Sequence, residues 1–348
     1  MFSSALRATL IALVASAVAV SAASGLSLKV TGPETVHDVD NLKVVTTVTN
    51  TGDETLKILN DPRGPLNKLA ANTFAITDAN GAVPAFTGVK VKYVPSAAIA
   101  AGKDAVTVLA PGQSVSVEHN LSEAYNFTHT GEGAYNFEAS NLFFIVDSAN
   151  KAVPIYADNE AHSAKLSGKL AIARRSVDKR ATYNGCSSSQ QSLLASAASA
   201  AQSYASNALS YANAHTSAST RYTTWFGTYT ASRHTTVVSH FSKISGNTFS
   251  SYKYDCTCTD SGTYAYVYPD TFATVYLCGA FWNAPTTGTD SKGGTLIHES
   301  SHFTSNGGTD DYVYGQAGAK SLAISNPNNA VFNADNHEYF AENNPSLA

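Results

Sequence analysis

Cysteine is missing from the first 185 residues of this 348-residue chain; Cys186, Cys256, Cys258 and Cys278 all fall in the second half. After residue 20 there is no long apolar run, so nothing downstream of the N-terminus reads as a membrane-spanning helix. A strong excess of one charge is also missing: 22 Lys+Arg face 26 Asp+Glu, and no basic surplus suggests nucleic-acid binding. The small imbalance is localised. From Ala181 onward six Lys+Arg meet ten Asp+Glu, whereas the preceding residues carry sixteen of each. The C-terminal part is therefore mildly attractive to cationic partners.

The N-terminus has the marks of a secretory leader: Arg7, an apolar stretch from Leu10 to Val20 too short to span a bilayer, and small residues Ser21, Ala22 and Ala23. Export to an oxidising compartment makes the four cysteines disulfide partners rather than a four-thiolate metal site. Cys256 and Cys258 are separated by one residue, so a bond between them would be strained; two pairings remain. Arg174-Arg175 and Lys179-Arg180 are dibasic pairs that suit a processing protease, or a solvated basic linker. These marks divide the chain into a signal peptide (1–23), an N-terminal domain (24–180) and a C-terminal domain (181–348).

Residues 24–180 read as all-β. The runs Leu42–Thr49, Val89–Val94, Ser114–Val117 and Tyr135–Ala139 alternate or are rich in β-branched residues, with Pro95, Pro111-Gly112 and Gly131 to Gly133 between them. Short strands so punctuated suggest an immunoglobulin-like sandwich. Asn120 and Asn126 head two N-glycosylation sequons. The C-terminal part reads as mostly helical. Ser187 to His215 carries Leu194, Ala197, Ala201, Ala205, Ala208 and Tyr211 at three- and four-residue steps, a narrow stripe of mostly small residues. A second helix is expected over Ser232 to Ile244. A small β-hairpin is expected from Tyr264–Tyr268 and Phe272–Leu277, and a third helix from about Lys292 to Thr304. Helices, hairpin, then helix is an α+β order. The hairpin's edge would line a cleft and could take an extended peptide as an added strand.

The third helix contains His298-Glu299-Ser300-Ser301-His302. Residues four apart share a helical face, so two imidazoles can grip one metal ion while Glu299 takes a proton from a metal-bound water. Zinc suits neutral imidazoles and needs no redox chemistry. Catalytic zinc usually has a third protein ligand. An H-E-x-x-H-x-x-G-x-x-H continuation is excluded, because residue 305 is Ser, residue 308 is Gly and the next histidine is His337. Glu338 or Glu342 could serve from a later helix. The nearer source is Gly307-Gly308-Thr309-Asp310-Asp311-Tyr312-Val313-Tyr314-Gly315, whose glycines can turn the chain back. Asp310 and Asp311 both offer carboxylates there, although Asp311 could instead cap the following helix and Tyr314 could be a packing residue.

The double motif, His298-Glu299-x-x-His302 followed by Gly308-Thr309-x-Asp311-x-x-Tyr314-Gly315, resembles the aspzincin metallopeptidases, the deuterolysin family, and within it the fungal lysine-specific metalloendopeptidases. The resemblance spans about Thr182 to the C-terminus. It implies a zincin-like α+β fold for the mostly helical C-terminal domain, with His298, His302 and Asp311 as ligands of one Zn2+, Glu299 as general base and Tyr314 as oxyanion donor. It also implies the pairing Cys186–Cys256 with Cys258–Cys278. Processing next to Lys179-Arg180 follows too, so that 24–180 becomes a propeptide. Asp335 and Glu338, three residues apart and so on one helical face, match the S1′ lysine-specificity positions. Read from the residues alone they are equally a solvated helix end. His337 between them reads as structural or exposed.

The expected function is that of a secreted zinc endopeptidase, made as a zymogen and cutting on the amino side of lysine. Arginine would fit less well. Its partners would be lysine-containing proteins and peptides and its own propeptide, with no nucleic acid or membrane, and a monomer is expected. The rivals are a deuterolysin-type protease with broader preference for basic proteins and a non-catalytic secreted binding protein. Glu299 argues against the second.

Overall fold

The structure is a computed structural model that describes residues 25–172 and 183–348. The expected leader (1–23), the pairs Arg174-Arg175 and Lys179-Arg180, and the expected boundary at 180/181 lie outside the described residues. No helix among the described residues is long and apolar enough to cross a membrane.

In the N-terminal half, alternation of side chains builds two facing four-stranded sheets. One runs in the order Asp158–Glu160, Leu26–Thr31, Lys43–Asn50, Ser114–Asn120; the other Thr35–His37, His162–Ser167, Gly133–Ala139, Phe74–Asp78. Lys43–Asn50 buries every second residue, as one-faced burial requires. Leu28, Val44 and Val48 from the first sheet share a core with Ile76, Phe137 and Leu166 from the second. A third sheet, ordered Ala152–Tyr156, Leu142–Val146, Leu56–Leu59, Val106–Leu109, adjoins them. This half is not wholly β. Pro95–Ala101 is a helix, started by a proline that needs no N–H partner there and built from alanines. Gly102, at φ 79°, ends it. The half-buried Asn120 and Asn126 both accept local backbone hydrogen bonds, from Ser122 and Thr128.

The C-terminal half is organised around the helix Ser188–Ala214. Its N-terminus has a capping box, with Ser187 and Gln190 satisfying each other's backbone N–H groups. Leu194, Ala197, Ala201, Ala205 and Ala208 are fully buried. Their small size admits the helix Lys292–His302 at close range: a Cβ on Gly293 would stand 2.8 Å from Ala200 Cβ. On the other side the helix Ala334–Glu342 is as close, since a Cβ on Gly294 would meet Glu342 Oε1 at 2.0 Å. Every residue of Lys292–His302 is buried as a result. Helix Ala231–Ser245 packs on the same core through Val237, Phe241 and Ile244. Disulfides join Cys186 to Cys256 and Cys258 to Cys278.

The hairpin forms, from Thr263–Val267 and Thr274–Leu277, but it is part of a larger sheet. The order is Tyr183–Asn184, Lys253–Asp255, Thr274–Leu277, Thr263–Val267, Lys90–Tyr93. The last strand comes from the N-terminal half and runs antiparallel to Thr263–Val267, with Lys92 opposite Ala265 and Val91 opposite Tyr266. The sheet edge expected to face a cleft is therefore already paired within the chain.

Candidate metal centre

Two histidine rings meet one carboxylate at the C-terminal end of the buried helix. Ser291 starts this helix, its hydroxyl accepting from Gly294 N–H. Glu342 in turn accepts from the Ser291 backbone N–H and hydroxyl, at 2.9 and 2.8 Å. After His302 the chain reverses through Gly308, whose φ of +56° lies where a side chain is disfavoured. Ser301 and Thr309 pair their hydroxyls at 2.6 Å across the turn. This brings Asp311 Oδ1 to 3.2 Å from His298 Nε2 and 3.3 Å from His302 Nε2.

The other nitrogen of each ring is engaged elsewhere. His302 Nδ1 lies 2.9 Å from the Thr309 carbonyl oxygen, and His298 Nδ1 lies 2.8 Å from Asp335 Oδ1. His298 Nδ1 makes only the close ion-pair contact, without an aligned hydrogen bond. A proton on each Nδ1 leaves the Nε2 lone pairs free on the side of Asp311, the usual outer-shell arrangement of metal-bound imidazole. Both Nε2 atoms and Asp311 Oδ1 are buried without a hydrogen-bond partner. Buried polar atoms are rarely left so, and a cation held by all three satisfies them together. The donor set fits a zinc-like ion. Asp310 does not compete, because its carboxylate receives Lys90 Nζ and the Asp311 backbone N–H. Asp311 does not cap a helix either: the Gly315–Ser325 helix begins at Tyr314 with no side-chain cap.

Glu299 points into the same space. Its Oε2 is buried and unpartnered, while Oε1 accepts the Lys92 backbone N–H at 3.0 Å. Burial pushes its carboxyl well above the ordinary carboxylate range, partly offset by His298. Tyr314 donates its hydroxyl to the Val91 carbonyl at 2.8 Å. Burial, with Asp311 nearby, drives its phenol well above its ordinary value and keeps it a proton donor. Glu342, weighed as a ligand, instead caps the helix start.

Asp335 and Glu338 are fully buried on helix Ala334–Glu342, so the solvated helix end is ruled out. Between them sits the ammonium of Lys92, itself with no exposed surface. It lies 2.8 Å from Glu338 Oε2, 3.0 Å from Asp335 Oδ1, 3.1 Å from Asp290 Oδ1 and 3.4 Å from the Tyr339 hydroxyl. Burial alone would lower its pKa, but Asp335 and Glu338 overcome this and hold it well above the ordinary lysine value. His298, Asp335 and Glu338 also form a metal-like cluster among the described residues, but the cation they enclose is this ammonium. His337 is structural: fully buried, with Nε2 3.0 Å from His240 Nδ1.

Sequence reasoning missed Lys92, Asp290, Tyr339 and Arg63. The guanidinium of Arg63 stacks 4.0 Å over the Tyr314 ring and donates to the Asp311 carbonyl at 2.8 Å. Nothing in the local pattern marks these residues. Lys92 sits in an alternating strand where a lysine reads as solvent-facing.

The family model for lysine-specific metallo-endopeptidases, the aspzincins, matches residues 211–342. The peptidyl-Lys metalloendopeptidase of Grifola frondosa is 63% identical over 350 residues, covering 99% of each chain. The chain belongs to the aspzincin family. It is a metalloendopeptidase, with a metal cofactor and protein substrates. A second aspzincin relative, the peptidyl-Lys metalloendopeptidase of Pleurotus ostreatus, is 72% identical over 168 residues, all of that protein and 48% of this one. The solved zinc peptidase from Grifola frondosa is 68% identical, covering 47% of this chain and all of that one, with a TM-score of 0.47.

Proposed function

We propose that this aspzincin is a secreted zinc endopeptidase, made as a zymogen, that hydrolyses the peptide bond on the amino side of lysine. The observation that carries the specificity is the enclosed acid pocket. Three carboxylates and a phenol surround one ammonium: Asp290, Asp335 and the Tyr339 hydroxyl accept its three donors, and Glu338 adds a close ion pair. A planar guanidinium needs a wider, flatter set of acceptors.

His298, His302 and Asp311 would hold the zinc, which supplies an acidified water and polarises the carbonyl. Glu299 takes the proton of the attacking water and passes it to the leaving nitrogen; its contact with a peptide N–H supports that assignment. Tyr314 donates to the carbonyl oxygen as negative charge develops on it. Asp335 and Glu338 bind the P1′ lysine. Asp335 also touches His298 Nδ1, so it links the specificity pocket to the metal centre.

Residues 24–180 are the propeptide in this reading, an immunoglobulin-like sandwich removed after Lys179-Arg180. The two facing sheets and the 168-residue relative support it. Asn120 and Asn126 are its glycosylation candidates.

The test is digestion of a mixed-sequence protein by the processed enzyme, followed by N-terminal mapping. Nearly all new N-termini should be lysine, and a chelator should stop the reaction. Scattered N-termini would overturn the specificity, and chelator-resistant cleavage would overturn the metal chemistry.

A further inference from the structure

We infer that the N-terminal half seats its own Val91–Lys92 bond in the active site in the register of a substrate, so that this bond plugs the unprocessed chain and is the first one it cuts. The inference rests on the lysine-pocket reading above. Four contacts carry it. The Lys92 side chain fills the acid pocket. The backbone N–H of Lys92, the nitrogen that would leave, donates to Glu299 Oε1 at 3.0 Å. The carbonyl of Val91, the group that would be attacked, accepts from the Tyr314 hydroxyl at 2.8 Å. The strand runs antiparallel on Thr263–Val267, as an added peptide would. Each group of one peptide bond thus faces the residue that would act on it, within hydrogen-bond reach of both.

Further contacts hold the segment in place. Val91 N–H donates to Asp311 Oδ2 at 2.9 Å, Lys90 Nζ pairs with Asp310, and Arg63 stacks on Tyr314. A second site from the same half, Asn67 Nδ2, donates to Asp260 at 2.8 Å. With the pocket filled and the sheet edge paired, an outside peptide has no room.

The reaction needs only water. The water oxygen bonds to the Val91 carbonyl carbon and the bond to the Lys92 nitrogen breaks. One water proton reaches that nitrogen through Glu299, and the second leaves the new carboxyl group to protonate the freed amine. Val91 becomes a C-terminal carboxylate and Lys92 a new N-terminal amine. The fold still holds both ends, so release waits for the second cut near residue 180.

The test uses the full-length unprocessed chain with zinc. Mass spectrometry should find a fragment that begins at Lys92, formed at a rate independent of protein concentration and not formed by Glu299→Gln. Separately, a labelled lysine-containing peptide is titrated into the metal-free chain and followed by fluorescence anisotropy. The parent and Lys90→Ala should exclude the peptide. Lys92→Ala and the bulkier Lys92→Met, checked for native circular dichroism, should bind it at least 10-fold more tightly. The absence of a Lys92 N-terminus would overturn the cleavage. Equal exclusion of the peptide by natively folded Lys92→Ala would overturn the register. If the processed enzyme is lysine-specific while either of these fails, only this inference falls; if the processed enzyme lacks lysine preference, the functional reading falls with it.

Discussion

The N-terminal sandwich and the helix Lys292–His302 solve opposite problems. In the sandwich, burial largely follows polarity: Lys43–Asn50 turns Val44 and Val48 inward and keeps Lys43 in water, and its buried Thr46 and Asn50 donate to backbone carbonyls. In the helix, burial overrides polarity, and His298, Glu299, Ser300, Ser301 and His302 have no exposed surface. Burying such groups costs several kcal/mol unless each finds a partner. The partners come from elsewhere in the chain: Asp311, Asp335, Thr309, Tyr252 and the Lys92 amide. A change in the sandwich should therefore affect stability, whereas a change in the helix should affect chemistry.

The contrast is most sharply tested at the centre of the helix. Glu299→Gln keeps the shape and removes the base, so kcat should fall by about 10²–10⁴ with metal content unchanged by elemental analysis. His302→Ala should lose the metal itself. Val48→Ala, deep in the sandwich core, should lower the urea midpoint of the unprocessed chain and leave its metal content unchanged by elemental analysis. A loss of metal in that variant would break the division of labour.

Next in size is Asp335→Asn, which strikes two partners at once. Loss of a charge-assisted bond to lysine should lower kcat/KM on lysine peptides by roughly 10–100-fold. Loss of the His298 contact should weaken metal retention by roughly 10–100-fold against a chelator. Glu338→Gln should show mainly the first effect, since its oxygen lies 3.4 Å from His298 Nδ1, against 2.8 Å for Asp335. Equal metal loss in both variants would show that the pocket and the metal centre are not linked through Asp335.

Glycines sharpen the comparison further. Gly294→Ala puts a Cβ 2.0 Å from Glu342 Oε1, at the cap of the metal helix, and should destabilise by about 1–3 kcal/mol. Gly133→Ala, at the start of a sandwich strand, meets nothing within 4 Å and should be neutral or stabilising by roughly 0.4–1 kcal/mol. Chemical denaturation of the two variants would decide it. A neutral Gly294→Ala would mean that the helices are less closely set than described.

How much was legible beforehand follows the same line. The strands and helices read from periodicity form within one or two residues in most cases, Ser188–Ala214 and Lys43–Asn50 among them, because there pattern and burial agree. The helical spacing of His298 and His302 was legible as well, and the glycine turn after them made a nearby carboxylate the natural third partner. Lys92 was not legible, because alternation assigns a strand lysine to water and only a pocket 198–246 residues away in sequence, from Asp290 to Glu338, reverses that. The helix Pro95–Ala101 was missed because Pro95 reads as a stop after a strand when it is equally a start. The fifth strand of the sheet was invisible for the reason Lys92 was: local sequence does not say which edge a strand will find.

The smallest expected effect concerns the buried pair His240 and His337. His337 Nδ1 donates to the Asn333 carbonyl, leaving Nε2 to accept from His240 Nδ1 at 3.0 Å. Both rings are thereby neutral, and a proton added to His337 Nε2 would face the His240 N–H. Burial lowers His240 to about 4, with Lys243 adding to the effect; burial and then His240 lower His337 to about 3. In the unfolded chain each takes its proton near pH 6.5. The folded state binds fewer protons between those values, so stability is complete above about pH 6.5 and is lost as pH falls toward about 4. Between pH 7.5 and pH 5 the unfolding free energy should drop by about 4 kcal/mol, roughly 2 kcal/mol from each ring. His240→Asn keeps a donor and removes one titrating ring, so it should cut that drop by at least half. A slope as steep in the variant as in the parent would assign the acid sensitivity to other groups, such as His119 on the sandwich strand Ser114–Asn120, which burial also lowers, and would reverse the comparison.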